Sequence, residues 1–169
     1  ELISLAGDTG LAGASIEDHR PGDSDPIYDA ELAKERVAAA AEASGELVLT
    51  ARCENYLHGR PDLADTIARL QSYQEAGADV LFAPGLTDLE EISTLCKEVD
   101  RPVNVLLLPG GPTPAELGEA GVARISVGGT FAWAAYSGLV ESARQLLDGD
   151  TAFFERTAAA REVIDQAFR

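Results

Sequence analysis

Apolar residues gather along this chain in short runs, separated by longer amphipathic stretches. Five runs read as strands, over residues 14–18, 47–54, 80–84, 103–108 and 124–129. Each is followed by a loop and then by a helical period, over about 30–43, 63–76, 88–99, 114–120 and 131–147, with a last helix over about 152–168. The boundaries carry their own signals. Asp88 can cap its helix with Glu91 three residues on, and Pro114 stands where a missing N–H costs nothing. Gly77 and Gly121 follow helices in the matched contexts EAGAD and EAGVA, the position of a glycine C-cap.

Strands alternating with helices at this spacing predict a parallel sheet, and nearly continuous apolar strands predict one covered on both faces. An open doubly wound sheet and a closed (β/α) barrel both satisfy the pattern. No G-x-G-x-x-G follows the first strand, which weighs against a dinucleotide-binding sheet. Polar and charged residues cluster instead at the C-terminal ends of the strands, where a barrel builds its site. The expected fold is therefore a (β/α)8 TIM-type barrel in which residues 1–169 form one domain. Such a barrel needs eight strands, so roughly three N-terminal units are expected to be missing from this stretch. Residues 1–6 read as the tail of a helix whose start is absent. A five-stranded open sheet is the alternative that needs no missing part.

Composition narrows the function classes. With 29 acidic against 13 basic residues, the net charge is −16. That surface repels phosphate backbones and anionic lipid, so no nucleic-acid or membrane partner is expected. A small anionic substrate remains compatible, because a local Arg or a bound cation inverts the field inside a pocket. No apolar run is long enough to span a bilayer and no secretory pattern opens the chain, so a soluble cytoplasmic protein is expected. Two cysteines, Cys53 and Cys96, suggest no disulfide framework. The two histidines, His19 and His58, are too few and too isolated for a zinc site.

Parallel strands bring their C-terminal ends to one face. The first supplies Glu17 and Asp18, the second Arg52 and Glu54 followed by Asn55. The third gives Pro84-Gly85, the fourth Asn104 and a PGGP loop at 109–112, and the fifth Ser126 with Gly128-Gly129. Carboxylates suit Mg2+, and Arg suits bidentate recognition of a carboxylate or phosphate. Each also has a plainer reading. Glu17-Asp18 can be a solvated strand end, Arg52 a structural ion pair to Glu17 or Glu54, Asn104 a partner for backbone in the core, and His58 a loop residue.

Taken in order, GLAGASIED, VLTARCEN, YQEAGADVLFAPGL and PVNVLLLPGGPTPAELGEAGVARISVGG resemble the isocitrate lyase and phosphoenolpyruvate mutase superfamily over nearly the whole chain. The resemblance implies a (β/α) barrel that binds Mg2+ and a small 2-oxo or related carboxylate. The chemistry it implies is forming or breaking C–C or C–P bonds through an enolate-like intermediate. Position by position, it places Glu17 in the metal shell, through metal-bound water. It sets Arg52 on the substrate carboxylate and the developing charge as the catalytic residue, with Glu54 and Asn104 as further substrate-binding residues. The family's aspartate-rich metal loop lies upstream of the I-E-D strand, in the part not present. The lyases' K-K-C-G-H loop, whose Cys transfers a proton, is replaced here by HRPGDSDPIYD. Cys53 is no substitute, since it alternates to the face away from Arg52.

These readings lead to a Mg2+-dependent lyase that cleaves a C–C bond in a small 2-oxo or 2-hydroxy carboxylate. The alternatives are C–P/O–P phosphoryl transfer of the phosphoenolpyruvate phosphonomutase type, and an inactive barrel that only binds a carboxylate. In the superfamily the last barrel helix is commonly exchanged between subunits. The apolar face of 131–147, with Trp133 and Tyr136, is broader than a lone surface helix needs, so a homodimer or homotetramer with helices 130–169 swapped is expected. Packing on the same barrel is the plainer alternative.

Overall fold

The structure, a computed structural model, describes residues 2–168. Two compact units divide the chain between Ser126 and Val127. The first holds helix α1 (Leu2–Asp8), strand β1 (Gly13–Glu17), α2 (Ala30–Ser44), β2 (Val48–Arg52), a 3-10 turn (Tyr56–His58), α3 (Leu63–Glu75), β3 (Val80–Phe82), α4 (Leu89–Glu98), β4 (Val103–Leu106), α5 (Pro114–Glu119) and β5 (Arg124–Ser126). The second holds α6 (Thr130–Leu147) and α7 (Phe153–Ala167). The opening residue of the expected N-terminal helix tail, Glu1, lies outside the described residues; the helix itself is α1.

All five strands run parallel, in the order β1-β2-β3-β4-β5. A doubly wound sheet reverses its strand order at a switch point, whereas sequential order is that of an arc of a (β/α) barrel. The curvature agrees. The Arg124 guanidinium on β5 donates to Thr50 Oγ1 on β2 at 3.2 Å, although three strand spacings separate them, about 14 Å along a flat sheet. No arginine side chain spans that gap unless the sheet rolls.

One face of the arc packs against the helices. Leu49, Ala51 and Cys53 of the β2 segment, Leu81 and Ala83 of the β3 segment, and Val103 and Val105 of β4 are buried. They meet Val37 and Ala40 of α2, Leu70 and Tyr73 of α3, Ile92 and Leu95 of α4, and Leu117 of α5. Each fully buried Leu or Ile contributes about 1.5–3 kcal/mol relative to exposure. Residues on the opposite, concave face alternate with these, and that face carries the polar residues discussed below.

The helix boundaries follow the sequence closely. Asp88 accepts the Glu91 N–H at 3.0 Å, but Glu91 does not complete a capping box; its carboxylate accepts the Tyr56 hydroxyl instead, at 2.9 Å. The full box forms at α5, where Thr113 and Glu116 exchange side chain and backbone hydrogen bonds. Gly77 closes α3 at φ +104°, and a Cβ there would lie 2.8 Å from that of Ala41, so both conformation and space select glycine. The strands are shorter than the apolar runs, and Glu54 lies beyond the end of β2 rather than within it.

In the second unit no residue of α6 is buried, and Phe131, Trp133, Tyr136 and Leu139 are all more than half exposed. Arg156 of α7 holds Gln145 (2.9 Å) and Glu141 (3.2 Å) of α6. None of the described helices is long and apolar enough to cross a membrane.

Candidate active site

A single register row crosses the concave face. Glu17 pairs with Arg52, Arg52 with Phe82, Phe82 with Asn104, and Asn104 with Arg124. Side chains in one row of a parallel sheet share a face and a height, so the fold brings Glu17 and Arg52, the last residues of β1 and β2, into one line with Asn104, the second residue of β4. Glu54 joins them from just past β2.

Arg52 lies between two carboxylates. Its Nη1 meets Glu17 Oε1 at 2.6 Å and its Nε donates to Glu54 Oε1 at 2.7 Å, while the guanidinium carbon sits 5.3 Å from the Phe82 ring centre. Of the two readings of Arg52, the ion pair is present in the structure, and to both acids. Their environments differ: the Glu17 side chain is 40 % exposed and that of Glu54 only 3 %. Burial pushes the Glu54 carboxyl above its ordinary range, and the Arg52 charge and hydrogen bond pull it partly back. The group is thus a carboxylate whose ionisation depends on one arginine.

Asp18 belongs to the other face. It is buried, and it accepts the Glu54 N–H at 2.8 Å and the Tyr73 hydroxyl at 2.6 Å, with Arg69 Nη1 at 3.5 Å. It therefore fixes the backbone of Glu54 against α3 and is unavailable to a ligand. Cys53 also faces the helices, fully buried, and burial pushes its thiol up to about 12. It is neither nucleophile nor proton donor for the concave face. Asn104 is 1 % exposed; it accepts from Arg124 Nε at 2.9 Å and donates to Ser126 Oγ at 3.1 Å.

The segment HRPGDSDPIYD folds as a narrow hairpin. His19 bridges Ile27, Arg20 N–H donates to Pro26 O (2.7 Å), and Tyr28 N–H to Asp18 O (2.8 Å). Two contacts join it to the loop after β2: an ion pair between Asp25 and Arg60, and the stacked rings of His19 and His58, centres 4.2 Å apart and 15° from parallel. The two histidines, isolated in sequence, are in contact in the fold. At the next strand end Gly85 (φ +89°) approaches this loop, where a Cβ would lie 3.1 Å from Leu57 N; only glycine fits.

Sequence reasoning passed over Arg124, although its signal was present. Ile125 alternates to the helix face, so Arg124 must share the concave face with Ser126.

Among the described residues, no three His, Cys, Asp or Glu side chains converge as a metal-ligand set. The exposed carboxylate of Glu17 is a hard oxygen donor of the kind Mg2+ takes, directly or through its waters. The donor chemistry fits Mg2+ as one contributor to its shell, and the remaining oxygens must come from elsewhere.

Comparison with known proteins settles the family. The family model for phosphoenolpyruvate phosphomutase matches residues 1–147. The chain belongs to this family. An uncharacterized protein of Mycobacterium tuberculosis is 36 % identical over 140 residues, 82 % of this chain and 53 % of that protein. The oxaloacetate decarboxylase of Paraburkholderia xenovorans is 28 % identical over 145 residues, 83 % of this chain and 46 % of the enzyme. A crystal structure from Burkholderia cenocepacia, provisionally assigned as a lyase/mutase, superposes with a TM-score of 0.82 at 48 % identity, over 90 % of this chain and 58 % of that one. Phosphonopyruvate hydrolase, solved with oxalate and Mg2+, shares the fold at 24 % identity and a TM-score of 0.75, over 88 % of this chain and 56 % of that one. The chain thus spans about half the length of the curated relatives it matches. The relatives and neighbours with assigned activities are a decarboxylase, lyases and hydrolases.

Proposed function

We propose that the protein containing this chain is a Mg2+-dependent lyase that cleaves a C–C bond in a small 2-oxo or 2-hydroxy carboxylate. The five βα units form part of an eight-stranded barrel in that protein. The observation carrying the proposal is Arg52, held by Glu17 and Glu54 at the strand mouth in one row with Asn104. Bond cleavage leaves an electron pair that delocalises onto a carbonyl oxygen as an enolate. A fixed guanidinium and an amide N–H aimed at that oxygen stabilise the charge as it forms. Arg52 serves as the catalytic residue, and Asn104 and Glu54 orient the substrate beside it. Glu17 would contribute to holding a magnesium ion, which would supply Lewis-acid polarisation of the substrate. The oxaloacetate decarboxylase relative supports this substrate class.

The test is an assay of the full-length protein with Mg2+ on oxaloacetate, methylisocitrate and dimethylmalate, with Arg52→Ala as control. Turnover of at least one, lost in the variant, is the expected result; none above the control on any of them would sink the lyase reading. The matching family model favours one second reading, phosphoryl transfer between carbon and oxygen. Phosphorus NMR of a phosphonopyruvate incubation distinguishes it. The exposed apolar face of α6 supports a homodimer or homotetramer in which α6 and α7 dock on a second copy. Sedimentation of the full-length protein at micromolar concentration checks this, and a clean monomer would remove it.

A further inference from the structure

Arg124 forms the first link of a directional hydrogen-bond chain on the concave face. Its Nε donates to Asn104 Oδ1 at 2.9 Å, Asn104 Nδ2 donates to Ser126 Oγ at 3.1 Å, and the Ser126 hydroxyl lies 3.5 Å from the Val105 carbonyl. Both ends of the chain are chemically fixed, since a guanidinium only donates and a carbonyl only accepts. The direction of every link between them follows. The amide oxygen of Asn104 must face Arg124, and its amino group must face Ser126, two residues nearer the strand mouth. Nδ2 carries two hydrogens, and Ser126 takes one.

Among the described residues, no other contact gives Arg124 a task. It takes part in none of the ion pairs among the described residues. Its remaining contact is the Thr50 hydroxyl at 3.2 Å, which braces the guanidinium from across the sheet. Without Arg124, Asn104 could rotate its amide by half a turn and still meet Ser126, whose hydroxyl would then donate to it and give up only the long 3.5 Å contact with the Val105 carbonyl. The site would then show an incoming group a carbonyl oxygen as readily as an N–H.

We propose that Arg124 is a positioning residue: it locks Asn104 as a hydrogen-bond donor, so that the site selects anionic oxygen. This rests on the carboxylate-lyase reading above, in which Asn104 faces the substrate. The lock has a consequence for specificity. A ligand presenting a carboxylate or enolate oxygen at Asn104 is accepted, and an analogue presenting an amide N–H or ammonium there is excluded by donor–donor contact.

The test uses the full-length protein, with Arg124→Met to remove the donor and Arg124→Lys to restore one. The first measurement needs no ligand: the side-chain amide resonances of Asn104 by NMR. Arg124→Met is expected to shift them and speed their exchange with solvent, and Arg124→Lys to leave them near the wild-type positions. The second is calorimetric titration of oxalate with Mg2+ present. Arg124→Met is expected to weaken oxalate about tenfold, the scale of one hydrogen bond to a charged group, with Arg124→Lys within about threefold of wild type. In an Asn104→Ala background, Arg124→Met is expected to change the oxalate affinity no further. Unchanged Asn104 resonances in Arg124→Met overturn the proposal, as do losses that add in the double variant or a lysine variant as weak as the methionine one. If the wild type fails to bind oxalate, the carboxylate reading falls, and the resonances of Asn104 still decide whether Arg124 positions it.

Discussion

Arg52→Met keeps the aliphatic stem on Phe82 but removes the guanidinium shared by Glu17 and Glu54. The two losses are unequal. Glu17 is 40 % exposed, so water replaces its partner and that pair is worth at most about 1 kcal/mol. Glu54 is 3 % exposed, and stripping one partner from a buried pair costs roughly 3–5 kcal/mol. Because Arg52 itself is 23 % exposed and admits water, about 2–3 kcal/mol is expected at pH 8. The loss must depend on pH. Burial already raises the folded-state pKa of Glu54 and Arg52 holds it down, so removing Arg52 raises it further above the unfolded value near 4.3. Between those two values the folded state binds more protons than the unfolded state, and stability falls as pH rises. The variant's deficit should therefore be smallest near pH 4, grow through the folded pKa of Glu54, and level off above it. Urea unfolding of the full-length protein at pH 4, 6 and 8 measures this, and Arg52→Met/Glu54→Leu should abolish most of the pH dependence. A deficit of equal size at all three values would refute the assignment of Glu54 as a buried carboxylate held by Arg52.

Two further outcomes follow from the face behind the site. Tyr73→Phe removes the 2.6 Å hydrogen bond to buried Asp18 and should cost about 1.5–3 kcal/mol in the same assay. Burial first, then the Asp18 charge, hold the Tyr73 hydroxyl well above its ordinary pKa, so it contributes stability below about pH 10 that is lost as pH rises further; the variant's alkaline limb should be shallower. Cys53, fully buried with its thiol raised to about 12, should resist iodoacetamide in the native protein at pH 8 and react only on unfolding, as mass spectrometry of the alkylated peptides would record.

The strand and helix order was legible in the sequence because a parallel sheet writes each strand as an apolar run and punctuates each helix with caps such as Asp88, Pro114 and Gly77. The row formed by Glu17, Arg52 and Asn104 was legible in part, since parallel strands bring their ends together and alternation puts Glu17 opposite Asp18 and Arg52 opposite Cys53. What escaped was set by contacts between distant segments. The stack of His19 on His58 depends on how two loops fold beside each other, which no local pattern encodes. Whether Arg52 pairs with one acid or two depends on Glu54 lying just past its strand. The anchoring of Asp18 depends on Tyr73 of α3, reaching under β2. Arg124 is a different case, since alternation with Ile125 already places it on the concave face, and only its hydrogen bonds to Asn104 and Thr50 reveal what it holds.

Charge at the strand mouth then constrains how an anion can bind at all. Glu17, Arg52 and Glu54 together carry one net negative charge when both acids are ionised, and both acids occupy Arg52. A dicarboxylate approaching this group is repelled unless a cation arrives with it or an acid gives way. Glu17→Gln separates those two routes. Removing its charge about 4 Å from an incoming carboxylate is worth about 1 kcal/mol in a water-like dielectric and about 4 kcal/mol near a protein surface. The 40 % exposure of Glu17 favours the lower figure, roughly a fivefold change in affinity. Oxalate without metal should therefore bind the variant about fivefold more tightly than the wild type. With Mg2+ present the sign should reverse, because a neutral side-chain amide is a poorer oxygen donor to the ion or its waters than the Glu17 carboxylate. Calorimetry with and without Mg2+ reads both signs. Weaker oxalate binding under both conditions would show that Glu17 contacts the anion or maintains Arg52, and would remove it from the metal shell.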